Sequence, residues 1–166
     1  MEAPTLEAIV LGTAKVAALQ ALHLRCHEFI EQTTGVPPRD DEAVALLKHL
    51  PPGKSPADKQ VLGVMADEEM IGVVELLRDH PQLRDWYIGL LLLVPQSRGA
   101  GLGSSLVDEI VQRVRAADGA ALHLIVRENN PRAIAFWRRH HFEEIDRRIQ
   151  DLGTQRNLVL KMVRRL

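Results

Sequence analysis

One cysteine, Cys26, stands in a chain of 166 residues. No internal disulfide and no cysteine-based metal cluster can form, which predicts a reducing compartment, the cytoplasm. An excess of charge is lacking as well. The 21 Lys and Arg against 22 Asp and Glu leave a formal net charge of -1, so no overall field draws the chain to nucleic acid or to an anionic membrane. Nor is there a long hydrophobic run. The longest, Ile88 to Pro95, falls far short of the about 20 residues a membrane helix needs, and no basic segment followed by an apolar stretch opens the chain. Internal repeats, low-complexity tracts and interdomain linkers are absent, so residues 1–166 are expected to form a single domain. These absences leave a small ligand as the expected partner.

What is present suffices for a core, since 46% of the residues are hydrophobic. Val16, Leu19, Leu22, Cys26, Phe29 and Ile30 recur at helical spacing and predict one amphipathic helix over 13–32, stopped by Gly35-Val36-Pro37-Pro38. A short second helix runs from Asp40 or Asp41, as N-cap, to Leu50 before Pro51. The apolar runs 61–66 and 70–77 flank Asp67-Glu68-Glu69 and read as a hairpin. Trp86 to Val94 is almost wholly apolar, which predicts a central strand covered on both faces. A helix follows over 101–117, with Asp118-Gly119 as its stop, then a strand over 122–126, a helix over 132–140, and a closing pair of strands over 143–150 and 157–163.

The most specific chemical signal lies between the central strand and the helix after it, in Gln96-Ser97-Arg98-Gly99-Ala100-Gly101-Leu102-Gly103-Ser104. Glycines at alternate positions permit positive φ and a close approach of backbone N–H groups to an anion. The positive end of the helix dipole adds to them. A packing turn that merely needs glycine is the alternative. No Gly-Lys-Ser/Thr of a P-loop is present, and Ser104 stands where a dinucleotide-binding Gly-x-Gly-x-x-Gly requires its last glycine.

Arg98-Gly99-Ala100-Gly101-Leu102-Gly103 resembles the Arg/Gln-x-x-Gly-x-Gly/Ala signature of the GNAT superfamily of acetyl-coenzyme A-dependent N-acetyltransferases, and the register starting at Gln96 fits it too. A second block, Asn130-Pro131-Arg132-Ala133 through Phe136-Trp137 to His141-Phe142, is similar to the family's Asn-x-x-Ala-x-x-Phe-Tyr-x-x-x-Gly-Phe ending. The resemblance covers about residues 62–142. It implies an α+β fold with a mixed, mostly antiparallel sheet of six or seven strands and helices on both faces, and acetyl-CoA as cosubstrate. It implies further that the backbone of Arg98, Gly99, Ala100, Gly101, Leu102, Gly103 and Ser104 holds the pyrophosphate. Leu92, Leu93 and Val94 would pair with pantetheine, an N–H there polarising the thioester carbonyl, while Asn130 would bond the pantetheine arm and Ala133 would let the helix come close. A small-molecule or peptide amine would attack directly, with no enzyme nucleophile, and a homodimer is compatible with the family.

Two positions depart from the pattern. Trp137 replaces the tyrosine that protonates the departing thiolate in many relatives, and His141 replaces the glycine before phenylalanine, implying a changed turn. An ammonium of pKa about 10.4 must lose a proton before it attacks. Glu75, alternating with Ile71, Val73 and Leu77, is the candidate base, because apolar neighbours raise a carboxylate pKa; a solvent-facing strand glutamate is the alternative. Tyr87 is the candidate for orienting the acceptor or donating a proton, against ordinary packing. With the acid missing, a non-catalytic acyl-CoA-binding module is the second reading. Cys26 is read as a core thiol, His23 and His27 as a polar helix face, and 161–165 as an exposed basic end. No residues at ligand spacing predict a metal.

Overall fold

The computed structural model describes residues 3–166. The expected hairpin forms from β2 (Lys59–Ala66) and β3 (Glu69–Arg78), whose turn places Asp67 at φ 54°, a conformation aspartate tolerates better than most residues. A four-residue strand, β1 (Thr5–Ala8), pairs antiparallel with the outer edge of β2. It is too short to show a period, and the sequence reading omits it.

In place of one helix over 13–32, two occur, α1 (Lys15–Arg25) and α2 (His27–Thr34), broken at Cys26, whose N–H bonds both the Leu22 and His23 carbonyls. The apolar stripe continues across this break, which is why periodicity alone misses it. At the start of α3 (Glu42–Lys48), the expected Asp41 cap is not made by its side chain. Glu42 accepts the Arg39 N–H at 3.1 Å instead.

The central strand is β4 (Asp85–Leu93), followed by α4 (Leu102–Ala116), β5 (Ala121–Arg127), α5 (Pro131–Arg139), β6 (Glu143–Leu152) and β7 (Gln155–Arg165). At the end of α4 it is Asp118, not glycine, that takes the left-handed conformation, at φ 58°. Gly119 is needed for space, since an added Cβ would meet Val114 at 2.3 Å and the Trp86 ring at 3.0 Å. The sheet order is β1-β2-β3-β4-β5-β7-β6, and only β4 with β5 is parallel.

Alternation along β4 sends Trp86 toward α4 and Tyr87 to the opposite face. The helices α2 and α3 lie over that second face, where Lys59 on β2 and Arg127 on β5 donate to their carbonyls. Contrary to the expected full cover, the middle of β4 is open, with Gly89 exposed and Leu90 and Leu91 half-buried. The stretch 161–165, expected as an exposed end, lies within β7 with Met162 and Val163 buried. Among the described residues no helix is long and apolar enough to cross a membrane.

Candidate active site

β4 and β5 pair at three positions only, Asp85 with Ala121, Trp86 with Leu122 and Tyr87 with His123. Beyond these, β4 stays on β3 as far as Leu93 and β5 stays on β7 as far as Arg127, so two facing backbone edges part into a wedge. Leu92 and Leu93 face Val73 and Gly72 on β3, and the Val94 N–H reaches the Ile71 carbonyl at 2.9 Å, leaving the other edge of this stretch to the wedge. The closed end is pinned by buried Asp85, whose Oδ2 lies 2.8 Å from His123 Nε2.

Inside the wedge the β3–β4 register slips. Glu75 faces Leu90 while Leu76 faces Ile88, which leaves Gly89 as an extra residue, a bulge. A Cβ at Gly89 would lie 2.5 Å from Glu75 Oε2, so the Glu75 carboxylate rests against the bulge. Glu75 is buried, and the Lys59 ammonium sits 2.7 Å from its Oε1 while also donating to the Leu46 carbonyl and to His49 O at 2.7 Å. Tyr87 lies two residues before the bulge, edge-on to His80 at 5.3 Å between ring centroids, and burial raises its phenol pKa.

At the open end the backbone turns through Pro95–Ser97 into the glycine loop. Gly99 and Gly101 have φ 86° and 84°, and no heavy atom stands within 4 Å of where either Cβ would be. The two glycines are thus demanded by backbone conformation, and the space above them is free. Gly101 is the N-cap of α4 and supplies no capping side chain, so the first N–H groups of the helix have no side-chain partner there. An anion of phosphate size fits this arrangement of open N–H groups, free volume and helix dipole.

Arg98 Nε donates to Leu93 O at 2.8 Å, bracing the loop against the strand end. The Cys26 thiol donates to the same carbonyl at 3.6 Å; burial pushes its pKa up, partly offset by Arg98. Gly103 lets α4 approach the Phe136 ring, and Ser104 Oγ is 3.0 Å from His140 Nε2. Ala100 and Leu102 complete the loop without a hydrogen bond from their side chains.

On the other side of the wedge, Asn130 caps α5 through Oδ1, which accepts the Ala133 N–H at 3.2 Å and leaves the Nδ2 hydrogens for another acceptor. Trp137 is buried edge-on between Phe136 at 5.0 Å and Phe142 at 5.1 Å. His141 has φ 64°, the conformation a glycine would take, so the substitution keeps the turn rather than changing it. His23, expected on a polar helix face, is 3% exposed, and its Nδ1 has no partner among the described residues, whereas exposed His27 faces Glu31 at 3.4 Å. No group of three or more His, Cys, Asp or Glu among the described residues could hold a metal.

The fold brings Glu75, Tyr87, residues 92–94, the glycine loop and Asn130 to the rims of one wedge, whereas Trp137 is packed in the core between Phe136 and Phe142. It adds four residues that the sequence reading leaves out: Gly89, Lys59, Asp85 and His123. Gly89 carried a signal, because a lone glycine within an apolar strand marks a bulge or a close approach. The two buried pairs, Lys59 with Glu75 and Asp85 with His123, join residues 16 and 38 positions apart and leave no local pattern.

The sequence profile of the Acetyltransferase (GNAT) family matches residues 16–142. Among solved structures, an acetyltransferase from Thermus thermophilus superposes with a TM-score of 0.81 at 18% identity, covering 99% of this chain and 98% of that one. The spermidine N-acetyltransferase of Vibrio cholerae, solved with CoA and spermine, gives 0.74 at 20% identity over 98% and 95%. The ribosomal-protein-alanine N-acetyltransferase of Brucella melitensis gives 0.73 at 17% over 98% and 99%.

Proposed function

The chain belongs to the acetyltransferase (GNAT) family, and from that premise we propose that it transfers an acetyl group from acetyl-CoA to a primary amine by direct attack, in the cytoplasm. The observation that carries this reading is the parting of β4 and β5 after Tyr87 and His123, which opens a backbone-lined slot ending at the uncapped start of α4. The glycine loop, residues 98–104, holds the pyrophosphate through its N–H groups beyond Arg98, whose own N–H bonds Pro95 O, and the backbone of Leu92, Leu93 and Val94 on the wedge side of β4 pairs with the amides of the pantetheine arm. Asn130 Nδ2 donates to that arm from the β5 side, and Ala133 keeps α5 close to it.

The bulge at Gly89 releases backbone from the β3 ladder where the thioester carbonyl comes to rest, so that an N–H can polarise it. The acceptor enters from the face of Glu75 and Tyr87. Its nitrogen forms a bond to the carbonyl carbon as the carbon–sulfur bond breaks. The ammonium first gives one proton to the Glu75 carboxylate, directly or through water; the second leaves the nitrogen as the amide forms and passes through solvent to the departing thiolate. With a thiol pKa of about 8.5 the leaving group tolerates the absence of a tyrosine at 137. Tyr87 positions the acceptor beside Glu75.

Calorimetric titration with acetyl-CoA, followed by thiol release in the presence of amines, tests this. Binding at micromolar concentration with amine-dependent turnover is expected. Absence of binding to the folded protein overturns the reading. Binding without turnover for any amine selects the second one, a non-catalytic acyl-CoA-binding module, which the apolar packing of Trp137 favours.

A further inference from the structure

The face of the sheet that the acceptor reaches carries charges that can be traced strand by strand. Tyr87 faces His123 across the parallel pair, His123 faces Val163 on β7, and Lys161, two residues along, shares their face. Lys161 faces Asp146 on β6, and Arg148, again two residues along, joins the same face. Arg127 lies there from β5, and Lys54 approaches from the segment before β2. Lys54 and Lys161 stand near enough to His80, and Arg148 near enough to Tyr87, for their charges to act on these two rings, which meet edge to face at the closed end of the wedge; Glu75 opposes Arg148 at Tyr87, and Arg127 lies four residues further along β5.

Two acids of this region are paired with cations, Glu75 with Lys59 at 2.7 Å and Asp85 with His123 at 2.8 Å; Asp146, opposite Lys161, keeps its charge without an ion pair and accepts only the neighbouring Arg147 N–H at 2.8 Å. The cations are not matched in the same way. Arg127 donates to the Gln32 carbonyl at 2.8 Å, Lys54 to the carbonyls of Arg78 and Asp79, and Arg148 to the Gln150 amide at 3.1 Å; none of these acceptors carries a charge. Lys161 has no hydrogen-bond or ion-pair partner among the described residues. Beside Arg127, a cleft of about 400 Å³ is lined by Gln32, Asn129, Asn130 and Gln155, with no carboxylate in its wall.

We infer that the acceptor is an amino carboxylate, a small molecule whose negative group is drawn to Arg148 and Lys161 while its amine reaches Glu75, and that polyamines are disfavoured. A dication brought to this face meets like charge, whereas a carboxylate gains charge-assisted hydrogen bonds that a guanidinium provides in a fixed fork. The inference rests on the acetyl-transfer reading for the position of the amine, and on the unmatched cations for the sign of its partner.

The test compares acceptors of equal length: glycine, β-alanine and γ-aminobutyrate against ethylenediamine, 1,3-diaminopropane and 1,4-diaminobutane. The expected result is a KM at least about tenfold lower for the best amino carboxylate than for its matched diamine. Raising the salt to about 0.5 M should shrink that ratio. Arg148→Gln and Lys161→Gln should each reduce the ratio by about three- to tenfold while leaving acetyl-CoA affinity unchanged. A diamine that equals or exceeds its amino carboxylate, or a preference indifferent to both substitutions, overturns the inference. Acetyl-CoA binding, measured separately, reports on the transferase reading. Should turnover be absent, binding of the same six compounds to the protein gives the same decision, and binding of none also overturns the inference.

Discussion

The carboxylate of Glu75 occupies the space a side chain at Gly89 would need, with Oε2 only 2.5 Å from the position of a Cβ there. The bulge and the candidate base are therefore one unit. Lys59 prevents the carboxylate from moving aside, because its ammonium is held by the Leu46 and His49 carbonyls as well as by Oε1. Gly89→Ala is expected to lower kcat by about 100-fold, the effect of displacing a reacting group by about 1 Å, with acetyl-CoA affinity within about threefold of the parent. Steady-state kinetics beside calorimetry separates the two quantities.

Removing the partner of Glu75 tests the same unit through stability. The Lys59 and Glu75 side chains are 4% and 11% exposed, and leaving one member of such a pair buried alone costs about 3–5 kcal/mol. Lys59→Met should show that loss in urea unfolding, and adding Glu75→Leu should recover most of it. Recovery without restored turnover would mark Glu75 as required for chemistry and the pair as dispensable for folding.

In the glycine loop the demand is conformational. Gly101 at φ 84° has free space around it, so Gly101→Val costs backbone strain of about 1–3 kcal/mol and closes the room above the helix start. Acetyl-CoA affinity should fall at least about 30-fold. Arg98→Ala acts differently, by releasing the loop from Leu93 O, and should weaken binding by about three- to tenfold. Both are read by calorimetry.

His141 reports on a turn rather than on chemistry. It holds φ 64° without being glycine. His141→Gly should unfold at or above the parent's urea midpoint, and His141→Val should be about 2 kcal/mol less stable, because a β-branched residue fits that conformation worst.

Burial lowers the pKa of His23 below its ordinary 6.5, with Glu42 opposing part of the effect. In the window below 6.5 the unfolded chain then binds more protons than the folded one, so stability is complete above about pH 6.5 and falls as the pH drops through that value toward the folded pKa. Half-buried His80 and His140 are shifted in the same direction, chiefly by burial. Thermal unfolding from pH 7.5 to 5.5 should show the decline, and His23→Leu should make it shallower.

Local patterns in the chain determined much of this molecule. Helical stripes, the hairpin about Asp67, the strand before the glycine loop and the helix after it are each written within about 20 consecutive residues, because periodicity and turn chemistry act over that range. The alternate glycines at 99 and 101 were legible for the same reason, since positive φ is a property of single residues. Only the tertiary structure decided that the α1 stripe breaks at Cys26, that a four-residue strand adds an edge, and that β4 and β5 separate after three pairs. It also decided the partners of Glu75 and Asp85 and the gathering of Arg127, Arg148 and Lys161 on one face. These depend on register between strands distant in sequence, where a slip of one residue exchanges the two faces of a strand, and no local pattern records that choice.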